Sequence, residues 1–291
     1  MTILVTGATG TVGSKVVALL AERGAEIHAY VRDPEKARLP ARVKAAKGDF
    51  LDVASLRAAL KQARTLFLLN AVSPDELTQA LIALNLAREA RTERIVYFSV
   101  MQSETYVNVP HFTAKYAAER MIREMRLPAT ILRPAYFMDN DAGLKDAILG
   151  ASVYPMPIGA KGLPMVDARD IAEVAALELL RREQSAAPLP QTSIDIVGPE
   201  TLTGEAVAGI WSEVLARPVT YAGDDAAAFE RAVGAGAPGW LAHDMRVMAE
   251  RFQSEGMPPE PGDRERLTRM LGRPLRNYGD FAAETAKRWR T

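Results

Sequence analysis

The chain has 291 residues, of which 48% are hydrophobic and 25% are charged, with 36 basic and 36 acidic side chains. This composition is typical of a globular protein with a sizeable core, and it excludes a disordered, collagen-like or coiled-coil chain. The zero net charge argues against a dedicated nucleic-acid binder. The absence of cysteine excludes a thiol nucleophile, a disulfide framework and any cysteine-ligated metal.

Metal and membrane sites are also disfavoured by the residues present. His28, His111 and His243 are the only histidines and lie too far apart in sequence for the paired-histidine motif of zinc hydrolases, so no metal is expected. No apolar run approaches the ~18–20 residues that span a bilayer. Because residues 2–6 already predict a strand, we expect no removable signal and a cytoplasmic protein.

The first half of the chain alternates short apolar runs with longer amphipathic stretches. The runs predict strands over 3–6, 26–31, 43–46, 65–69, 94–98 and 129–132, and the stretches between them predict helices over 11–23, 73–91 and 112–125. This alternation predicts an α/β fold with a doubly wound, parallel, Rossmann-like sheet.

The pattern changes in the second half. Residues 151–166 are rich in Pro and Gly, a helix is predicted to run from about 168 to 182, and 192–197 predict a seventh strand. From residue 200 onward the chain is mostly helical. We therefore predict an NAD(P)-binding Rossmann domain over 1–150. Residues 151–291 would form a smaller, mostly helical substrate-side cap, with 166–197 rejoining the sheet.

Two helix starts are predicted from capping chemistry. Ser73-Pro74-Asp75-Glu76 has a serine N-cap, a proline at the first helical position and a glutamate at the third, which is the pattern of a capping box. Asp33-Pro34-Glu35 resembles an N-cap followed by proline in the same way.

A glycine-rich turn follows the first strand and opens the first helix. Gly7 permits a tight turn, Gly10 has no side chain to block a pyrophosphate, and Gly13 lets the helix lie close to the strand. The N–H groups of a helix N-terminus bind phosphate. The alternative is a tight βα turn without a ligand. The residues expected to bind a dinucleotide here are Gly7, Thr9, Gly10, Thr11, Val12 and Gly13.

The end of the second strand indicates which dinucleotide binds. Arg32 lies about 20 residues after the glycine turn, where NAD-specific proteins place an acid against the ribose 2′-hydroxyl. An arginine there suits a 2′-phosphate. Asp33 is assigned to helix capping, so NADP(H) is expected to be preferred over NAD(H). The alternative is a solvated Arg32 with NADH binding as well.

Several motifs follow in an order that matches one family. They are Gly48-Asp49-Phe50, His111-Phe-Thr-Ala-Lys115, Arg133-Pro-Ala-Tyr-Phe-Met138 and Val166-Asp-Ala-Arg-Asp-Ile171. With the glycine turn and Arg32, they make the chain resemble the NmrA-like branch of the atypical short-chain dehydrogenases/reductases over nearly its whole length. That branch contains quinone and dye reductases, and also regulators that sense NADP(H) without catalysis.

The resemblance implies further cofactor contacts. The implied set is Asp49 and Phe50 beside the adenine; Leu69, Asn70 and Ala71 at the adenosine ribose; Lys115 at the nicotinamide ribose; and Tyr136 and Phe137 at the nicotinamide.

The expected catalytic residues are Lys115 and His111. Short-chain dehydrogenases typically use Tyr-x-x-x-Lys on one helix face, and here His111 occupies the tyrosine position. A charged histidine can donate a proton, but His111 at a helix start can also simply cap or pack. Ser99, after the fifth strand, is expected to be structural.

These features predict an NADPH-dependent oxidoreductase. Its substrate would be a small conjugated electrophile, such as a quinone or an azo or triphenylmethane dye, because such a substrate needs no strong general acid. The alternative is a non-catalytic NADP(H)-sensing regulator that acts through a partner protein. A nucleotide-sugar epimerase is disfavoured by the missing tyrosine. The expected partner is a small molecule rather than nucleic acid or a membrane, and a homodimer is left open.

Overall fold

The computed structural model describes residues 2–290, which contain a main sheet and a small second sheet. The strands in chain order are β1 (Thr2–Val5), β2 (Glu26–Val31), β3 (Lys44–Lys47), β4 (Thr65–Leu68), β5 (Ile95–Phe98), β6 (Ala129–Pro134), β7 (Val153–Tyr154), β8 (Thr192–Ile196) and β9 (Thr220–Tyr221). The main sheet has the order β3-β2-β1-β4-β5-β6-β8, and β7 pairs with β9.

Every strand pairing from β3 to β6 is parallel. The strand order runs outward in both directions from β1 and β4, so the sequence reverses direction between these two strands. Ligands of doubly wound sheets bind at the carboxyl ends of the strands beside such a reversal. The predicted Rossmann-like fold is confirmed, and the turn after β1 lies at this position.

Helices connect the strands and fill the C-terminal part. They are α1 (Thr11–Glu22), α2 (Val53–Lys61), α3 (Glu76–Glu89), α4 (Pro110–Glu124), α5 (Ala168–Gln184), α6 (Gly204–Leu215), α7 (Ala226–Gly234), α8 (Gly239–Glu255), α9 (Asp263–Leu271) and α10 (Tyr278–Arg290). None of these helices is long and apolar enough to cross a membrane.

One hydrophobic core lies on one face of the sheet against α2, α3 and α4. Leu56 of α2, Leu84 of α3 and Ile122 of α4 belong to one buried cluster with alternate strand residues such as Leu66 and Tyr97. The intervening strand side chains, including Ile3, Phe67 and Val96, are fully buried as well. Burial of both faces explains why these strands read as continuous apolar runs rather than alternating ones.

Two compact units can be distinguished. The first comprises the described chain up to Glu104, His111–Arg133 and Ile171–Ile194. The second comprises Thr105–Pro110, Pro134–Asp170 and the described chain from Asp195 onward. Each unit is thus assembled from separate stretches of chain. The predicted domain boundary at residue 150 stays a prediction. Compact units of this kind are not the same as domains that fold independently.

One predicted helix start is wrong. Residues 34–36 form a turn instead of a helix. The Asp33 carboxylate accepts a hydrogen bond from the Glu35 N–H at 3.2 Å and forms an ion pair with Lys36 at 3.1 Å. Asp33 therefore closes a local turn, because its side chain bonds to the backbone two residues further on, as in an Asx turn.

The capping box at Ser73 is also wrong. Helix α3 starts later, with Asp75 at the N-cap position, and the Ser73 hydroxyl donates to the Asp75 carboxylate at 2.8 Å. Glu76, expected to reach back to the cap, is buried and turned inward. The sequence pattern could not predict this orientation of Glu76, because Glu76 pairs with Lys115, which is distant in the chain.

Candidate cofactor and active site

Two of the three glycines in the turn after β1 are required by the protein's own structure, whether or not a ligand binds. Gly7 has φ +62°, a left-handed conformation that side chains rarely adopt, and a Cβ there would lie 2.5 Å from Leu69 Cδ2. A Cβ on Gly13 would lie 2.0 Å from the Gly7 carbonyl oxygen. The first turn of α1 therefore packs directly on the backbone of the loop, and only glycine allows this approach.

Gly10 differs, because no contact within residues 2–290 requires a glycine there. Its backbone has φ −82° and ψ 178°, which any residue adopts, and an added Cβ would meet only the Gly7 oxygen at 3.4 Å. Gly10, Thr9 and Thr11 are exposed, whereas Val12 is buried and offers only its backbone. The open space at Gly10 suits a ligand that approaches the backbone closely.

The first turn of α1 presents unused hydrogen-bond donors. Gly10 caps the helix without a side chain, and the N–H groups of Thr11, Val12 and Gly13 have no acceptor among residues 2–290. The first turn contains no acidic side chain. Unpaired amides at a helix N-terminus carry partial positive charge, so this turn can bind a diphosphate.

Arg32 follows β2 with its guanidinium exposed to solvent. It has no hydrogen bond or ion pair within the described chain, while the adjacent Asp33 is occupied by its own turn and by Lys36. An arginine without a carboxylate partner keeps its donors for an external anion. Arg32, and not Asp33, is therefore available to contact the ribose of a dinucleotide.

The segment after β3 is held by a tyrosine beneath it. The Tyr30 hydroxyl donates to the Asp49 carbonyl at 2.8 Å, and a Cβ on Gly48 would lie 2.4 Å from the Tyr30 oxygen. Asp49 is exposed and its carboxylate accepts from the Leu51 N–H at 2.9 Å. Phe50 is half-buried, edge-on to Tyr30 at 6.0 Å. One face of Phe50 is thus fixed against the core.

The segment after β4 is fixed to the glycine turn. The Thr6 hydroxyl accepts from the Leu69 N–H at 2.8 Å, which sets the path of the chain past Gly7. Ala71 is exposed. Asn70 is 6% exposed, and its Oδ1 atom is buried with no donor in the described chain. Because buried acceptors are normally satisfied, the Asn70 Oδ1 atom is available to a donor from a bound ligand or a water molecule.

Lys115 is buried on α4 and faces α3 rather than solvent. Its Nζ atom donates to Glu76 Oε1 at 2.5 Å, and both side chains are almost completely buried. The other Glu76 oxygen, Oε2, is buried without a donor. The two remaining Nζ–H groups have no partner among the residues described. The hydrogen-bonding groups of this ion pair are therefore only partly used. Two N–H donors of Lys115 and the Oε2 acceptor of Glu76 remain.

His111 lies in the first turn of α4 and is half-buried. Its ring lies edge-on to Phe112, with the ring centroids 4.7 Å apart. Its role as proton donor stays a prediction. Ser99 has the structural role expected of it, since its hydroxyl donates to the buried Glu119 carboxylate at 2.5 Å.

Tyr136 and Phe137 belong to the second compact unit. The Tyr136 hydroxyl donates to the Asp141 carboxylate at 2.9 Å. Burial raises the pKa of Tyr136 well above its usual value, and the charge of Asp141 raises it further. This tyrosine is therefore a poor proton donor. Phe137 is half-buried and forms an isolated parallel bridge with Val166.

The same unit contains a buried carboxylate, Asp141, that no sequence motif singles out. Asp141 is completely buried and also accepts hydrogen bonds from the hydroxyls of Tyr154 at 3.1 Å and Tyr278 at 2.5 Å. Burial raises the pKa of Asp141 to about 6, and the three tyrosine hydroxyls oppose that rise. Only tertiary structure brings these four residues together.

Comparison with known proteins decides the family. The sequence model of the NmrA-like family matches residues 1–261. The chain belongs to the NmrA-like family. Similar sequences include two bacterial reductases of the same length range. An NAD(P)H azoreductase from Xenophilus azovorans is 31% identical to this NmrA-like chain over 289 residues, which cover 96% of each protein.

A second relative of this NmrA-like protein is the (4-alkanoyl-5-oxo-2,5-dihydrofuran-3-yl)methyl phosphate reductase from Streptomyces griseus. It is 30% identical over 291 residues, covering 98% of each chain. Among solved structures, the NADPH complex of the quinone oxidoreductase QOR2 from Escherichia coli is 25% identical. The two folds match with a TM-score of 0.84 over 97% of this chain and 99% of that one.

Proposed function

We propose that this protein is an NADPH-dependent reductase that delivers hydride to a small conjugated electrophile. The observation that carries the proposal is the turn after β1, where Gly13 packs on Gly7 and leaves the amides of Thr11 and Val12 unpaired beside an exposed Gly10. Chain-long similarity to an NAD(P)H azoreductase and to an NADPH-bound quinone oxidoreductase supports the same cofactor and reaction.

The residues present fit the cofactor. The amides of the turn would hold its diphosphate, Arg32 its 2′-phosphate and Lys115 its nicotinamide ribose. A reduced nicotinamide supplies the hydride when it is bound. Asp49, Phe50 and the segment Leu69–Ala71 stay predictions as adenosine contacts, as do Tyr136 and Phe137 as nicotinamide contacts.

The substrate class follows from the acid–base groups that the chain lacks. No tyrosine precedes Lys115 by four residues, and the buried Tyr136 is a poor acid. A conjugated acceptor delocalises the charge that hydride brings and can take its proton from water. The names of the relatives describe azo compounds, quinones and an unsaturated lactone, which are all conjugated.

The function is tested by mixing the purified protein with NADPH and a panel of quinones, azo dyes and triphenylmethane dyes. We expect the absorbance of reduced nicotinamide to fall only when an acceptor is present. Simple ketones serve as the control and should not support oxidation. Tight NADPH binding with no oxidation by any acceptor would instead indicate a redox-sensing regulator.

Replacing Arg32 tests the cofactor preference. Arg32→Ala should weaken NADPH binding by roughly 10–100-fold, because a charge-assisted hydrogen bond to phosphate contributes about 1.5–3 kcal/mol. NADH affinity should stay the same, because NADH has no 2′-phosphate. Dissociation constants from nicotinamide fluorescence provide the measurement.

Arg23→Ala is the matched control, since Arg23 is an exposed arginine at the opposite end of α1. It should leave the affinities for both cofactors unchanged. An unaltered ratio of NADPH to NADH affinity in Arg32→Ala would remove the argument for NADPH preference.

A further inference from the structure

Glu76 does not have the helix-capping role that the sequence predicts for it. Glu76, at the start of α3, is 2% exposed, although the first turn of a helix is where an acidic side chain usually meets solvent. Its partner is the buried Lys115 of α4, thirty-nine residues away in sequence. Because burying a carboxylate and an ammonium is costly, such a pair needs close geometry to persist.

The pair is not a closed structural network. Glu119, four residues after Lys115 on the same helix, shows what a closed one is like. Its two oxygens accept from Ser99, from Ser103 at 3.2 Å, from Arg123 at 2.9 Å and from Arg133. Both oxygens of Glu119 thus have protein partners, which lie in the loop after β5, on α4 itself and on β6.

Glu76 uses only one oxygen, and Lys115 uses only one of its three N–H groups. Buried polar groups are normally satisfied, so this remainder indicates that the site is completed from outside the chain. The remaining groups are two donors on Nζ and one acceptor on Oε2. A ribose diol, which both accepts and donates hydrogen bonds, has the complementary chemistry.

We propose that Glu76 is the positioning residue for Lys115, holding its ammonium so that the unused N–H groups meet the nicotinamide-ribose diol. This inference rests on the proposed function. A lysine side chain has several rotatable bonds and loses considerable entropy when it is fixed. Because Glu76 fixes the Lys115 side chain before the cofactor binds, the loss of side-chain entropy does not weaken cofactor binding.

The test compares two ligands that share the adenosine half. NADPH contains both riboses, whereas 2′,5′-ADP contains only the adenosine half with its 2′-phosphate. Glu76→Gln should raise the NADPH dissociation constant about tenfold and leave that of 2′,5′-ADP unchanged, both measured by titration calorimetry. A residue with only a structural role would weaken the two ligands equally or not at all.

Two more variants show whether Glu76 acts through Lys115. In a Lys115→Met background, Glu76→Gln should cause no further loss of NADPH affinity, because the residue that it positions is absent. Glu76→Asp keeps the charge but shortens the reach, so it should still weaken NADPH and not 2′,5′-ADP. It also provides the answer if Glu76→Gln fails to fold with an unpaired lysine.

Glu89→Gln is the matched control. Glu89 lies on the same helix and pairs with Arg57 at the surface, so its replacement should change neither affinity. Equal weakening of both ligands, or unchanged NADPH affinity in Glu76→Gln and Glu76→Asp, would overturn the inference. A wild-type protein that binds neither ligand would instead overturn the proposed function.

Discussion

Gly13→Ala should destabilise the protein, whereas Gly10→Ala should leave it folded and unable to bind NADPH tightly. A Cβ on Gly13 would lie 2.0 Å from the Gly7 oxygen and 2.7 Å from the Gly7 carbonyl carbon. Both are backbone atoms, so the helix must move away from the loop. Overpacking of this kind costs roughly 1–3 kcal/mol or more. Thermal unfolding followed by circular dichroism measures the loss.

Gly10→Ala is the matched variant three residues earlier. Its backbone conformation suits alanine, and the added methyl meets one atom at 3.4 Å, so we expect a loss of stability below about 1 kcal/mol. The same methyl would project where a diphosphate approaches the amides, and NADPH affinity should fall at least about tenfold. If Gly10→Ala binds NADPH like the wild type, the diphosphate does not lie at this turn.

Asp141→Asn should remove a pH dependence of stability that the wild type carries. The pKa of Asp141 is about 6 in the folded protein and 3.8 is its ordinary value. A folded-state pKa above the unfolded one means that folding favours the protonated carboxyl. The stability from this group is complete below the unfolded pKa and is lost as the pH rises through 6.

The expected size is about 2 kcal/mol between pH 4 and pH 7, from the two pKa values. It is measured as the difference in free energy of unfolding in urea between wild type and Asp141→Asn, at several pH values. Asparagine keeps the size of the side chain but has only one acceptor oxygen, so it loses part of the hydrogen bonding to Tyr136, Tyr154 and Tyr278. Because asparagine does not titrate, that loss is the same at each pH. The control is Asp146→Asn, at an exposed position in the same region. A difference that does not vary with pH would show that burial does not perturb Asp141.

The sequence determined the parts of this protein that depend on local pattern. Continuous apolar runs such as 65–69 predicted strands that are buried on both faces, since parallel strands between two helical layers cannot alternate with polar residues. The glycine spacing predicted the turn after β1, because close backbone approach and positive φ leave glycine as the residue that fits. Arg32 could be selected as a candidate ribose contact because it directly follows β2, and the residue at the end of this strand contacts the ribose in dinucleotide-binding folds.

Helix capping was predicted less well, because a side chain near a helix start has several possible partners. The Asp33 carboxylate fits an N-cap in sequence, but it closes a turn with Glu35 instead. Glu76 fits a capping box, but a buried lysine on another helix competes for it. Local patterns list the partners that are near in sequence and omit those that are near in space.

Only the tertiary structure decided which charged groups meet inside. Glu76 and Lys115 lie on different helices, and Asp141 meets tyrosines from 5 to 137 residues away along the chain. No periodicity encodes such pairs, since each residue taken alone is ordinary in its own element. A buried charge persists only where packing places its partner within hydrogen-bond distance, and that placement comes from the fold as a whole.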